Sequence, residues 1–396
     1  MIKILLGLSV LGLLTSTAFS ILALAAIRRF TRRRRIVPPM FAEPVSLFKP
    51  LHGNEPNLEA HLETFFQQDY PSYEILFGAR VASDEGLLAA HRVAARYPHI
   101  PVKYVLTGEP WNINAKVCTL ELMEKAARHD IFIVSDSDVR VTPEYIREVA
   151  APFASEKVGA VTCLYRGVAE RGIWPSLEAT GMSIEMTSGV LVADLMEGMQ
   201  FTLGPTMAVR RVCMREMGGF ASMGAYCADD FILGNRVYEA GHEVVLSRHV
   251  IDHIVLNHGF MDSQKHQIRW MKSTRFSRPK GHFGTCLTFS VPFGILGFLA
   301  ANLLHHPLLG VELLGYSVFA RLILAAAIGS LVVQEKNLLR ASLLFPFRDL
   351  LGFFYWAASY TSSRIVWRNH IYKLTAGGLM HAADSEVEET APAFTA

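Results

Sequence analysis

The residues best able to do chemistry stand at three places along the chain. Asp136 and Asp138 flank Ser137 directly after the apolar run Ile131 to Val134. Two carboxylates one residue apart in a tight turn suit a hard divalent cation, Mg2+ or Mn2+, which can bridge to a diphosphate and neutralise charge as it leaves a sugar. The same residues also read as a solvated acidic turn. Asp229 and Asp230 precede the helical run Ile232 to Ala240. Either carboxylate can take a proton from an attacking hydroxyl, and either can instead cap a helix. The third place is His266-Gln267-Ile268-Arg269-Trp270. There Arg269 can donate a forked pair of hydrogen bonds to a phosphate, while Trp270 can anchor an interfacial helix at headgroup level.

Other signals point away from competing chemistries. His249, His253, His258 and His266 have spacings that match no compact metal-ligand signature, so structural or surface roles are expected for them. The five cysteines show no CxxC spacing and read as free packing residues. A Gly-x-Gly-x-x-Gly turn, a Walker loop and a Gly-x-Ser-x-Gly elbow are all missing, which removes the main support for a dehydrogenase, a nucleotidase or a serine hydrolase.

These residues need a scaffold that gathers them, and the flanking pattern supplies one. Strands are expected at Val45 to Phe48, Tyr73 to Ala79, Val102 to Leu106 and Ile131 to Val134. Helices alternate with them at Leu58 to Phe66, Glu85 to Arg96 and Ala115 to Ala127. Alternation of this kind predicts an α/β domain with a parallel sheet, whose strand carboxyl ends are where nucleotides bind.

The rest of the chain belongs to a bilayer. The 396-residue chain as a whole is 51% hydrophobic, with a mean hydropathy of +0.26, more apolar than a soluble domain. Residues 1–27 form an apolar helix long enough to cross ~30 Å of hydrocarbon, and a basic linker at 28–43 succeeds it. Arginines just after a span resist translocation, which places the residues after it in the cytoplasm and argues against a cleaved signal. The domain boundaries read as 44–262 catalytic, 263–283 an interfacial amphipathic segment, 284–366 a membrane region of two to three spans, and 367–396 a tail, acidic from about Ala382. Apolar stretches near 284–304, 307–333 and 342–362 carry the membrane reading. The basic stretch Lys265 to Lys280 suits anionic lipid headgroups, and nothing in the chain suits nucleic acid.

Taken in order, Val45 to Leu51, Leu62 to Pro71, Asp136-Ser137-Asp138 followed by Val139-Arg140-Val141, the Asp229-Asp230 pair and Arg269-Trp270 resemble the ceramide glucosyltransferases and the related hopanoid-associated glycosyltransferases. The match runs from about Val45 to Trp270. This resemblance implies a Rossmann-like GT-A fold and an inverting transfer from a UDP-sugar. It implies Asp230 as the general base and Asp136 as the middle one of three family aspartates. Asp84 is the best match to the first, with uracil recognition as its role. It also places Lys116 near the nucleotide, counts Asp229, Arg269 and Trp270 among the donor-binding residues, and makes Asp136 and Asp138 the metal ligands. His266 departs from the Gln or Arg that opens the family's last motif. The expectation is an integral protein of a bacterial inner membrane that uses Mg2+ or Mn2+ and transfers glucose or N-acetylglucosamine to a ceramide or hopanoid hydroxyl. A processive polysaccharide synthase and a non-catalytic sugar-nucleotide or lipid binder are the competing readings.

Overall fold

A computed structural model of the chain describes residues 1–34, 41–256, 259–367 and 370–383. Arg35, the Pro38-Pro39 linker, His258, Arg368 and the acidic tail beyond 383 lie outside the described residues.

The first helix, α1 (Ile2–Arg34), continues past the expected boundary at Ile27. Its last turns are no linker. Ala23, Ala26, Ile27 and Phe30 are buried in the main core, and the Arg33 guanidinium meets Asp194 at 3.0 Å.

Then comes the alternation the sequence foretells: β1 (Val45–Pro50), α2 (Leu58–Glu63), β2 (Tyr73–Ala79), α3 (Glu85–Ala94), β3 (Val102–Leu106), α4 (Ala115–Ala126) and β4 (Ile131–Val134). Side-chain caps start two of these helices. Asp84 Oδ1 accepts from the Leu87 N–H at 3.2 Å, and Asn114 Oδ1 accepts from Lys116 and Val117 at 3.1 and 3.3 Å. All four residues of β4 are buried, as a strand covered on both faces requires. Truncating Ile133 to Ala there is expected to cost about 2–5 kcal/mol.

The chain continues through β5 (Val139–Arg140), α5 (Tyr145–Ala150), β6 (Val158–Ala169), α6 (Ile173–Thr180), α7 (Thr187–Met196), β7 (Met207–Arg210), α8 (Arg211–Glu216), α9 (Asp229–Glu239) and β8 (Glu243–Val255). A π-helical turn, Gly181–Met186, joins α6 to α7. The eight strands form one sheet in the order β3-β2-β1-β4-β7-β6-β8-β5. The expected parallel pairing holds from β3 to β4, and β6 pairs parallel with β8. Strand β7 runs antiparallel to both its neighbours, and β5 antiparallel to β8, so the sheet is mixed.

After β8 come α10 (Phe260–Ser277), α11 (Pro279–Thr285), α12 (Val291–Leu303), α13 (Pro307–Leu331) and α14 (Leu338–Ala358). Among described residues, α1 and α13 are long and apolar enough to cross a bilayer, and α12 is a shorter apolar helix. Small residues let these helices approach closely: a Cβ on Gly294 would collide with Ser317, and one on Gly297 with Ser9. Helix α13 runs alongside α1 in the same direction, with Tyr316 at 2.6 Å from Thr17 and the Arg34 guanidinium donating to the Val332 carbonyl at 3.0 Å.

Helix α14 behaves differently from the span expected near 342–362. Arg340 near its start bonds Ser176, Arg348 in its middle bonds Glu185, and Ser359 just past its end accepts from Arg275. It therefore packs on the sheet domain through these residues, and on α13 and the start of α12 through Asp349, which pairs with Arg321 and accepts from the Ser290 and Val291 N–H groups. Three short strands come next, β9 (Arg364–Trp367), β10 (His370–Thr375) and β11 (Leu379–Ala382), where the sequence suggests the end of a membrane region and a tail. They form an antiparallel sheet that docks on the segment just before α9: Met380 N–H donates to the Ala225 carbonyl at 2.8 Å and Cys227 N–H to the Gly378 carbonyl at 3.0 Å.

Candidate active site

The turn after β4 and the start of α9 meet at one edge of the sheet. Asp229 and Asp230 are the first two residues of α9, and the N-cap before them, Ala228, has no polar side chain to cap it. Asp230 is clamped: its Oδ2 accepts from the Gly204 N–H at 2.8 Å, its Oδ1 from the Phe231 N–H at 2.8 Å, and its carbonyl from Thr202 Oγ1 at 2.7 Å. Burial, with Asp229 alongside, pushes its carboxyl up to about 6. A Cβ on Gly204 would stand 3.4 Å from Oδ2 of Asp230 and 3.6 Å from Oδ2 of Asp136, so both carboxylates border the small space over this glycine.

Lys116 is buried with these acids, not solvated. Its ammonium lies 2.7 Å from Asp136 Oδ1 and 3.5 Å from Asp229 Oδ2. Burial alone would lower it, but Asp136 and Asp229 outweigh burial and hold it above the ordinary lysine value. Asn114, having capped α4 with its oxygen, donates from Nδ2 to the Tyr226 carbonyl at 3.1 Å and to Asp229 at 3.4 Å. The donor-side loop and the start of α9 are thereby tied together.

Asp138 leans the other way. The pairing of β5 with β8 sets His253 opposite Val139, and His253 Nε2 stands 3.7 Å from Asp138 Oδ2. Burial raises the Asp138 carboxyl, and its Oδ1 is buried without a hydrogen bond, as is Nδ1 of His253. An orphaned carboxylate oxygen beside an imidazole and a second carboxylate is a donor set that fits Mg2+ or Mn2+. The three groups stand apart and do not converge as a closed ligand cage. Among described residues, three ligand atoms gather within 4.8 Å at Cys213, Glu216 and His242, around α8 and the α9 to β8 turn.

Two further residues serve this turn. Lys49, at the end of β1, is buried, donates to the main-chain carbonyl of Asp136, and sits 3.9 Å over the Phe65 ring. Burial lowers its ammonium to about 7, against the pull of Asp136 and Asp138. Glu55 accepts from Ser137 Oγ at 2.7 Å, which braces the middle residue of the turn.

Asp84 lies on the same edge, after β2, but both its oxygens are engaged: one caps α3 and the other accepts from the Gly53 N–H at 2.9 Å. Arg269 on α10 is half-buried and makes no hydrogen bond or ion pair among described residues, a guanidinium left available for an anion. Trp270 is not anchored outward. It packs against the main core, with its ring 4.4 Å from that of His266. Nor are the next cations along α10 left for headgroups. Lys272 bonds the Arg364 carbonyl, Arg275 stacks on Tyr360 and Arg278 pairs with Glu197, because the C-terminal strands and the α7 loop cover this side of α10.

The sequence reading missed His253, Lys49 and Gly204. Lys49 stands in the quoted Val45 to Leu51 stretch, so a lone lysine inside a buried strand was the available signal. For His253 and Gly204 the signal is tertiary, since only strand pairing and the return of the 202–204 loop bring them to the aspartates.

A GT-A sheet with paired acids at its carboxyl edge defines a glycosyltransferase. The family model for glycosyl transferase family 21 matches residues 8–380, and the chain belongs to that family. It is 24% identical to ceramide glucosyltransferase 1 of Caenorhabditis elegans over 94% of this chain and 81% of the relative. Ceramide glucosyltransferase 3 of the same organism is 24% identical over 84% and 73%. Among solved structures, a mannosyltransferase of Pyrobaculum calidifontis in complex with GDP-Man and Mn2+ superposes with a TM-score of 0.53 at 19% identity, covering 89% of this chain and 97% of that one, which shows the shared fold.

Proposed function

We propose that this glycosyltransferase moves glucose or N-acetylglucosamine from a UDP-sugar, with inversion, to the hydroxyl of a membrane lipid, ceramide-like or hopanoid. The reaction takes place on the cytoplasmic face, in a bacterial inner membrane. The observation that carries this reading is the clamp on Asp230, which holds one carboxylate at the edge of the space it shares with Asp136.

In the mechanism Asp230 accepts the proton of the lipid hydroxyl. The freed oxygen attacks the anomeric carbon from the face opposite the diphosphate, the bond from that carbon to the phosphate oxygen breaks, and UDP leaves. Raised to about 6, Asp230 is a competent base at neutral pH without being so acidic that it resists protonation. Lys116 and Arg269 supply this chain's own positive charge toward the diphosphate. Asp136 and Asp138, with His253, would hold a divalent cation that offsets charge on the leaving group when bound.

The relatives' names point to a lipid acceptor, and the long apolar helices α1 and α13 support membrane association. The test gives purified enzyme in nanodiscs labelled UDP-glucose or UDP-N-acetylglucosamine with ceramide, bacteriohopanetetrol or short soluble oligosaccharides. Label in an organic-extractable product with either lipid supports the reading. Label only in water-soluble oligosaccharide or in a growing polymer refutes it.

A further inference from the structure

A second group of polar side chains stands on β6, α6 and α10, and the role argued for it rests on Asp230 being the base. Tyr165 on β6 is 8% exposed, and its hydroxyl makes no hydrogen bond among described residues. Its ring packs 5.3 Å from that of His253, and a phenol hydroxyl is a hydrogen-bond donor. Glu178 on α6 is 3% exposed and holds His266 Nδ1 at 2.7 Å. A carboxylate on Nδ1 fixes the proton there and leaves Nε2 as an acceptor. That Nε2 has no partner among described residues, and the imidazole is 29% exposed.

One turn farther out on α6, Trp174 packs on Phe260 of α10 at 4.7 Å. Around them Ile173, Phe260 and Met261 are exposed, and Leu339 and Leu343 of the neighbouring α14 continue the apolar rim. The apolar residues thus stand one turn from the Glu178–His266 pair on α6, and Tyr165 lies on β6 against His253. Trp270 closes the inner side of the imidazole.

We propose that the acceptor's head enters between α6 and α10, and that Tyr165 and the Glu178–His266 pair bind a second polar group on it. The acceptors are then lipids that carry a hydrogen-bond donor, an amide N–H or another hydroxyl, beside the reacting hydroxyl. The His266 acceptor selects that donor. A diacylglycerol, whose neighbouring groups are esters, offers no such donor and leaves a half-buried nitrogen unmet, a loss of roughly tenfold to a hundredfold.

The test uses the full chain in nanodiscs with a labelled UDP-sugar and three acceptors: ceramide, bacteriohopanetetrol and dioleoylglycerol. Wild type is expected to favour the first two by at least about tenfold in kcat/KM. His266→Leu should raise the KM for the preferred lipid about tenfold while the KM for the UDP-sugar stays within about twofold, and His266→Gln, whose amide oxygen can accept, should recover much of the loss. Tyr165→Phe provides an independent variant should His266→Leu lose donor binding. Equal use of dioleoylglycerol by wild type, or an unchanged acceptor KM in both His266→Leu and Tyr165→Phe, overturns this inference and leaves lipid transfer standing. Label confined to soluble oligosaccharide overturns both.

Discussion

The Gly204 backbone N–H donates to Oδ2 of Asp230 at 2.8 Å, so the carboxylate is oriented from the loop before β7 as well as from Phe231 of its own helix. Asp230→Asn preserves shape and removes the basic oxygen. Turnover should fall by roughly 10²–10⁴ with little change in UDP-sugar affinity. Steady-state kinetics beside UDP-sugar titration checks this, and a larger effect from Asp229→Asn would shift the assignment by one residue.

Gly204→Ala tests the same space sterically. Its Cβ would meet both carboxylates at ordinary contact distance, so the fold should tolerate it while the room for the reacting sugar shrinks. An unchanged melting temperature with kcat lowered by about tenfold or more is expected, and full activity would place the reacting carbon elsewhere.

The raised Asp230 carboxyl sets the pH dependence. A base must be unprotonated, so kcat/KM should climb as pH rises through about 6 and level off above it. Asp229 pushes this value up and Lys116 pulls it down. Lys116→Met should therefore move the rising limb to higher pH, and a pH profile of the two proteins checks the direction.

Asp136, Asp138 and His253 are expected to share a cation. Thorough chelation should stop turnover and Mn2+ or Mg2+ should restore it, with His253→Ala raising the half-saturating metal concentration by about tenfold or more. Mn2+ binding read by electron paramagnetic resonance in the presence of UDP separates metal loss from loss of turnover.

Topology is testable by cysteine labelling. Because α14 packs on the sheet domain and β11 pairs with Ala225 and Tyr226, residues 90 and 373 should share one side. Single cysteines near the first position, at the exposed Leu88, and at Lys373 in an otherwise cysteine-free chain should both be protected from an impermeant thiol reagent in cells with an intact inner membrane and both be labelled once the membrane is opened. Labelling of residue 373 alone would turn α14 into a span.

The first half of the catalytic domain was readable because its signals are local. The boundaries of β2, β3 and β4 match the expectation to the residue: β2 and β4 are buried runs, and β3, the half-exposed edge strand, is bounded by Pro101 before it and by Gly108 after it. Past Val134 the sheet is built by long-range pairing, and strand β7 can be inserted antiparallel only by a connection that no short window reports. The acids announced themselves by spacing, while Lys49 and His253 needed the sheet to bring them to Asp136 and Asp138. Helix α14 shows the same limit. Its apolar length reads as a span, while Arg348 pairs with Glu185 of the sheet domain and Asp349 with Arg321 of α13, contacts that no short window reports.

The C-terminal sheet bears on how the enzyme is made. Strands β10 and β11 are translated after the α12 and α13 hairpin, yet β11 supplies backbone bonds to the segment that leads into Asp229 and Asp230. During synthesis the sheet domain emerges first, but its core also takes Leu324, Ile328 and Phe345 of α13 and α14, and the start of α9 stays unbraced until the chain has returned. With Asp230 as the proposed base, a nascent chain lacks the last support of that residue, and the order of translation postpones its chemistry until the C-terminal strands are made.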